Sequence, residues 1–462
     1  MIFCIEKNLN TVQKLHPLIF PDPFPTESCK RKMEKGETLL PVVFYDKDVP
    51  VGYGIVMDKQ QERILHAWVG GVLPAFQHEG IISAFYRWLI ELAEQKNYRF
   101  IEGNTDNYKP AMIKTLVSHG FDIIGVSSTT YGDGHKIHMR YTVHPPVKLR
   151  ISITNSCNLE CFFCHHEGIC SEHVRPMSIP NLELLLIQAK KRNATEITIT
   201  GGEPFICPEI ISYILHYCSF WKNPPLIKII TNGMLLSEEA VQSLASYSGK
   251  LKVHLSIHSI SEETAKKIYG KRFSLHQLEN SVVLLRKYQI PFRINCTVLN
   301  GLNSSPEQIK MLIDYAIKHE AQALHFMELL ITQEQKALHH FYYSSNQISC
   351  SLQETISSNF SILDFQENAK KKVYHIQNRQ NGKKISVSVY RLSCRSGCQN
   401  CAEENDITIG SDFQCYPCYL QPEKTCGNAL HSLEKAVSER DYFLQAQDSQ
   451  YAEKTLFWGE KA

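Results

Sequence analysis

The sequence has no apolar run near the ~18 residues that a membrane-spanning helix needs. Its first apolar patch, residues 1–5, is broken by Glu6 and Lys7, before the h-region of a secretory leader could form. We therefore expect a cytoplasmic protein with no membrane partner. Charge of one sign is also scarce: 49 Lys and Arg against 47 Asp and Glu leave a formal net charge of +2, which supplies no basic footprint for nucleic acid. With 43% hydrophobic and 21% charged residues, the chain has a globular rather than a disordered composition. At 462 residues and roughly 150 residues per domain, it should form two to four domains.

Cysteine is plentiful, with sixteen residues. In a reducing compartment these do not read as a disulfide framework, and clustering then favours metal or Fe–S ligation. Three lie in Cys157-Asn-Leu-Glu-Cys161-Phe-Phe-Cys164 and six between Cys394 and Cys426. Others, including Cys4, Cys29, Cys218, Cys296 and Cys350, read as small buried apolar side chains. Three thiolates at gaps of three and two residues can hold three irons of a [4Fe–4S] cubane and leave the fourth open to a ligand. The competing readings are zinc and buried thiols.

The segment Leu149 to Thr154 reads as a strand, so the cysteines follow its C-terminal end, where α/β barrels collect their chemistry. A helix over 179–192 and a strand over 196–200 lead to Gly201-Gly202-Glu203-Pro204. Glycines let a backbone approach a ligand, and a carboxylate can accept from an ammonium. Strand–helix alternation continues to residue 328, six repeats that predict a parallel sheet with helices outside it. The CxxxCxxC run, the aromatic Phe163 before its last cysteine and the Gly-Gly-Glu-Pro motif together resemble the radical S-adenosylmethionine (SAM) superfamily. The resemblance implies a partial (β/α)6 barrel with a [4Fe–4S] cluster on Cys157, Cys161 and Cys164. It implies SAM contacts at Phe163, Gly201, Gly202, Glu203, Pro204, Thr231, Asn232 and Ser256, and an electron donor such as flavodoxin or ferredoxin. Reductive cleavage of SAM to a 5′-deoxyadenosyl radical, which abstracts hydrogen from a small-molecule or peptide substrate, is the activity it implies.

Upstream, three strands over 38–73 run into Pro74 and a helical stretch from Gln77 to about Gln95. A strand–turn–helix junction with free N–H groups can cradle a pyrophosphate. With Asn104 to Asn107, the helix at 110–119 and Gly120-Phe121, this order resembles the GNAT N-acetyltransferases. The resemblance implies an α+β domain over residues 1–143 and acetyl-CoA contacts at Gln77, Gly80, Ile82 and Asn107. Ile82 replaces a small residue of that family's loop, where a β-branched side chain would obstruct the phosphates. Glu102 and Tyr108 are candidates for a general base. A domain that binds without acetylating is the alternative.

Tandem prolines at 145–146 mark a linker, so the core spans 144–330 and a Cys-rich region 331–462. The latter contains a hairpin over 372–389 and the cysteines at 394, 398, 401, 415, 418 and 426. Behind such a core, C-x2-C-x13-C resembles the MoaA family, the GTP 3′,8-cyclases. This implies a second [4Fe–4S] cluster on Cys398, Cys401 and Cys415, with Cys394 or Cys418 as a further ligand, while zinc remains the competing reading. The same resemblance gives substrate contacts to Arg150 and Arg293. Thr198, Glu403 and Asn405 replace basic residues of that family, and two carboxylates at 403–404 would repel a triphosphate. The sequence thus leaves three readings: a radical SAM enzyme with another substrate, a GTP 3′,8-cyclase with an altered pocket, or a non-catalytic metal-binding protein with a GNAT-like binding module.

Overall fold

Hydrophobic alternation at period two and at 3.6 residues sorts the chain into strands and helices, which in the computed structural model form two separate sheets. The structure describes residues 1–60, 62–96, 98–128, 134–143, 147–166, 176–392, 406–418, 421 and 423–446. Contacts divide the chain into Met1–Pro146 and Val147–Ala462.

The first unit runs β1 (Ile2–Ile5), α1 (Asn10–Ile19), α2 (Thr26–Glu34), β2 (Thr38–Asp46), β3 (Val49–Lys59), β4 (Ile64–Val72), α3 (Ile81–Gln95), β5 (Phe100–Asp106), α4 (Pro110–Ser118), β6 (Asp122–Ser128) and β7 (His135–Thr142). Its sheet has the order β1-β2-β3-β4-β5-β7-β6. Every pairing is antiparallel except β4 with β5, because α3 carries the chain between those two strands and a parallel pair needs such a crossover. The core gathers Val42, Phe44, Leu65, Phe85, Leu89 and Ile101, all buried.

The second unit begins with β8 (Lys148–Ser152), α5 (Ile179–Lys191), β9 (Glu196–Thr200), α6 (Pro208–Ser219), β10 (Leu226–Thr231), α7 (Glu238–Ala245), β11 (Leu251–Ser256), α8 (Glu262–Tyr269), α9 (Leu275–Lys287), β12 (Phe292–Thr297), α10 (Pro306–Lys318) and β13 (Ala323–Met327). Strands β8 to β13 pair in parallel in chain order, which is the expected six-repeat arrangement. One set of alternate residues, including Ile151, Ile199, Ile229, Leu255, Ile294 and Phe326, is aliphatic or aromatic and buried. The alternate set on the opposite face includes Arg150, Thr198, Lys228, His254, Arg293 and His325, which gives the barrel a polar interior. Serines start the helices: Ser237, Ser261, Ser274 and Ser305 each accept the backbone N–H three residues on, satisfying a donor that the helix leaves free.

The rest of the unit comprises α11 (Ser345–Asn359), β14 (Phe360–Glu367), β15 (Lys371–Asn378), β16 (Lys384–Tyr390), β17 (Asp406–Ile409), β18 (Cys415–Tyr416) and α12 (Leu433–Ala446). The division expected after residue 330 has no counterpart in the sheet. Strand β16 pairs in parallel with β13, and β17 with β8, so later segments extend both edges into one eleven-stranded sheet. Strand β14 is absent from the sequence reading because it is an edge: only Phe360 is buried, and Ile362, Leu363 and Phe365 are exposed. The C-terminal segment is held to the barrel by polar side chains. Gln188 on α5 donates to the Ala429 and Leu430 carbonyls and accepts the Leu433 N–H. Arg192 pairs with Glu434 at 3.1 Å, and Arg440 donates to the Asp406 carbonyl at 2.7 Å.

Truncating Ile229, which is fully buried on the central strand β10, to alanine should cost about 2–5 kcal/mol. Val283→Ala, at a side chain 55% exposed, should stay within about 0.5 kcal/mol. Urea unfolding of the two variants checks the assignment of faces.

Candidate functional site

The site forms where β8, β9 and β10 end. After β8 the chain turns at Thr154, whose hydroxyl accepts the Ser156 N–H at 3.1 Å, and the cysteine loop follows. The turn after β9 crosses directly beneath: Gly202 N donates to Thr154 O and Glu203 N to Ser156 O, both at 2.8 Å. A Cβ on Gly201 would sit 2.3 Å from Thr154 O, and one on Gly202 2.2 Å from Ser156 O. The close approach of the cysteine loop therefore requires both glycines.

Glu203 is likewise turned inward. Its carboxylate has no exposure; Oε1 accepts the Thr231 hydroxyl at 2.7 Å and Phe205 N at 3.1 Å, and Oε2 accepts Asn232 N at 2.8 Å. It thus ties the end of β9 to the end of β10 and does not line the cavity described below. Three donors of the chain occupy most of its acceptor capacity, which for a carboxylate is roughly four lone-pair sites. Burial pushes its carboxyl up to about 7, against the pull of those hydrogen bonds. Pro204 is buried in the short 3-10 turn that follows. Asn232 is committed in the same way, donating to Asn158 Oδ1 at 2.8 Å and accepting the Met234 N–H at 2.9 Å.

Cys157, Cys161 and Cys164 line one cavity of about 570 Å3. Among the described residues no group of three or more His, Cys, Asp or Glu side chains is placed to hold a metal ion. Burial, followed by the charges of Cys164 and Cys157, pushes the Cys161 thiol up to about 12. Backbone N–H groups of Leu159 and His166 point at the sulfurs of Cys157 and Cys164, at 3.5 and 3.4 Å. Gln335 holds the Cys164 carbonyl at 2.8 Å. The donor set suits an iron–sulfur cluster, with metal binding drawing off the thiol protons.

Phe163, Gly201, Gly202, Thr231, Asn232 and Ser256 line the same cavity, so most of the residues expected to meet SAM do converge on it. Asn295 joins them, 8% exposed and with its Oδ1 lacking a hydrogen-bond partner. Arg150 and Arg293 also reach the cavity wall, and the Nε of Arg293 has no hydrogen-bond partner among the described residues. Thr198, 7% exposed, lies between Arg150 and Lys228 in register. Burial and the charge of Arg293 drive His254 down to about 2 and His325 down to about 3, so both are neutral at physiological pH and the arginines carry the positive charge of this wall.

In the second cysteine group, Cys394, Cys398 and Cys401 lie outside the described residues, as do Glu403 and Asn405. Cys418 lines the cavity. Cys415 is fully buried in β18, and burial, with the nearby Cys426, pushes its thiol up to about 12. Cys418 thus meets the cavity, whereas Cys415, three positions earlier, is enclosed by its own strand. Outside both groups, Cys4 and Cys350 are exposed rather than buried.

In the first unit, Gly80 caps α3 in the left-handed region with φ of 76°. Ile82 is partly buried and packs against the core. Gln77 donates to the Val72 carbonyl at 3.4 Å, and Asn107 accepts the His135 N–H at 3.1 Å; both side chains stabilise turns. Glu102 is not a free base. Burial raises its value, but two hydrogen bonds from Arg140 outweigh this and leave it below the usual carboxylate range. Tyr108 is 68% exposed.

Two expectations follow from the crossing. Gly202→Ala should cost at least about 2 kcal/mol and abolish iron loading of the first cysteine group, read by iron content after anaerobic reconstitution. For Glu203, whose folded value of about 7 lies above its unfolded one, the proton-linked stability is fully present below about pH 4.5 and is lost as pH rises through 7. The stability difference between Glu203→Gln and the parent should therefore change by about 3 kcal/mol across that window, measured by urea unfolding at pH 4.5 and 8.

The family model of the radical SAM superfamily matches residues 151–316. A relative from Methanococcus aeolicus named "Probable GTP 3′,8-cyclase" is 31% identical over 48% of this chain and 72% of its own length. A namesake from Thermococcus kodakarensis is 32% identical over 38% and 54%; the chain thus spans about half the length of some of the curated relatives it matches. Among solved structures, Streptococcus suis SuiB bound to the precursor peptide SuiA aligns with a TM-score of 0.51 at 18% identity, covering 65% of this chain and 66% of that one. This likeness shows the fold alone. The cysteine run, the crossing beneath it and the relatives agree, and the chain belongs to the radical SAM superfamily, among its GTP 3′,8-cyclase-like members.

Proposed function

We propose that the protein is a radical SAM enzyme acting on an anionic small molecule or a peptide bearing an anionic group, with Cys157, Cys161 and Cys164 holding the first [4Fe–4S] cluster. The observation that carries this reading is the sharing of one cavity by the three cysteines, the Gly201–Gly202 turn and Arg150 with Arg293. When bound, the cluster and SAM supply reductive cleavage to a 5′-deoxyadenosyl radical for hydrogen abstraction. The chain supplies the positioning. Gly201 and Gly202 set the height of the cysteine loop, Glu203 fixes two strand ends, and Ser256, Asn295 and Phe163 face the cofactor space. Arg150 and Arg293 orient the substrate's negative group, with Arg favoured for bidentate contact. A flavodoxin or ferredoxin is the fitting class of electron donor.

Cys418 on the cavity wall supports a second cluster that also engages Cys398 and Cys401. In the first unit, the parallel β4–β5 pair, followed in α3 by a glycine N-cap that brings no side-chain hydrogen bond to the helix N–H groups, supports a GNAT-like domain that binds acetyl-CoA or a related nucleotide. A second reading, GTP 3′,8-cyclase activity, is favoured by the names of the relatives. Thr198 in place of a cation and the acidic residues 403–404 speak for a substrate with fewer charges than a triphosphate.

Anaerobic reconstitution followed by dithionite and SAM should yield 5′-deoxyadenosine, and alanine at any of Cys157, Cys161 or Cys164 should abolish it. A protein with a loaded first cluster and no 5′-deoxyadenosine would refute the reading. Iron near eight per chain is expected for two cubanes, against about four for one. Calorimetry with GTP separates the two substrate readings, tight binding favouring the cyclase.

A further inference from the structure

The cavity contains a side chain to which neither the sequence motifs nor the relatives give a part. His258 lies two residues beyond the end of β11, is 6% exposed and lines the cavity together with Cys161 and Phe163. Its ring is stacked on Tyr269, with centroids 5.1 Å apart and planes at 23°, and meets Phe163 edge-on at 5.1 Å. The backbone is pinned as well. His258 N lies 2.5 Å from the Tyr269 hydroxyl, and His258 O accepts from Asn303 Nδ2 at 2.7 Å.

One hydrogen bond settles the tautomer. Thr297 N donates to His258 Nδ1 at 3.0 Å, so Nδ1 presents a lone pair and the ring proton resides on Nε2. Burial favours the neutral ring. Nε2–H has no protein partner among the described residues. A ring stacked on Tyr269 and packed against Phe163, with its proton fixed by a backbone amide, offers a donor that costs little ordering when a ligand arrives.

We propose that His258 is a positioning residue whose Nε2–H donates to an acceptor atom of SAM bound between the cysteine loop and the end of β11. The proposal rests on the radical SAM reading. It assigns the Phe163–His258–Tyr269 stack two tasks: carrying the cysteine loop, through the Glu160 N to Tyr269 O bond of 3.0 Å, and aiming one donor into the space beside it.

Two isosteres separate a cofactor contact from a structural one. His258→Asn can still accept the Thr297 N–H but has no donor at the ε position. His258→Gln can place an amide N–H there but gives up the Thr297 contact. In cluster-loaded enzyme, anaerobic equilibrium dialysis should show SAM binding weakened about tenfold in His258→Asn, the loss of one net hydrogen bond of 1–1.5 kcal/mol, and restored to within about threefold of the parent in His258→Gln. The reverse order, equal binding by both, or equal loss in both would overturn the proposal. Where a variant fails to load iron, nitrogen-15 histidine labelling of the parent decides: the Nε2–H resonance of His258 should shift on adding SAM, and an unmoved resonance overturns the assignment. A parent that loads its cluster yet binds no SAM would instead refute the radical SAM reading itself.

Discussion

The second unit depends on one buried carboxylate. Glu203 accepts from Thr231, Asn232 and Phe205, and so fixes the ends of two neighbouring strands relative to each other. Above that junction, two glycines allow the cysteine loop to cross within hydrogen-bond distance of the turn. The position of the thiols is thus set by backbone contacts on a floor that Glu203 holds level. Burying an ionisable group costs free energy unless its partners compensate, and here the cost supports the placement of the loop. Within the tetrapeptide, Gly201 and Gly202 reach the cavity beside Ser256, Asn295, Arg150 and Arg293, while Glu203 braces the strands behind it.

The barrel separates two chemistries by strand alternation alone. Aliphatic residues beneath the helices carry the hydrophobic stabilisation, while the opposite face collects arginine, histidine and threonine. Burial keeps His254 and His325 uncharged, so the positive charge on the cavity wall resides in the guanidiniums, which remain protonated in proteins. The charge of those guanidiniums therefore changes little across the physiological pH range.

Much of this was legible in the sequence, because local signals and architecture coincide there. The six strand–helix repeats, the loop cysteines at a strand end and the parallel order of β8 to β13 follow from periodicity and spacing. What escaped is long-range. The inward turn of Glu203 depends on Thr231 and Asn232, 28 and 29 residues further on, and tetrapeptide chemistry alone suggests a free carboxylate. Cys415 and Cys418 differ by only three positions, yet strand geometry buries one and leaves the other facing the cavity. His258 carries no motif; it becomes visible once Thr297 and Tyr269 are seen around it. Strand β14 was missed because its side chains are nearly all exposed, which removes the alternation that identifies a strand.

The polar clasp between α5 and the C-terminal segment bears on how the protein is made. Gln188 engages three backbone groups across more than two hundred residues of sequence, and Arg440 grips the start of β17 from α12. These bonds use no thiol. The frame that carries Cys418 is therefore joined to the barrel by amide and guanidinium contacts, so its closure asks nothing of the sulfur chemistry at that position.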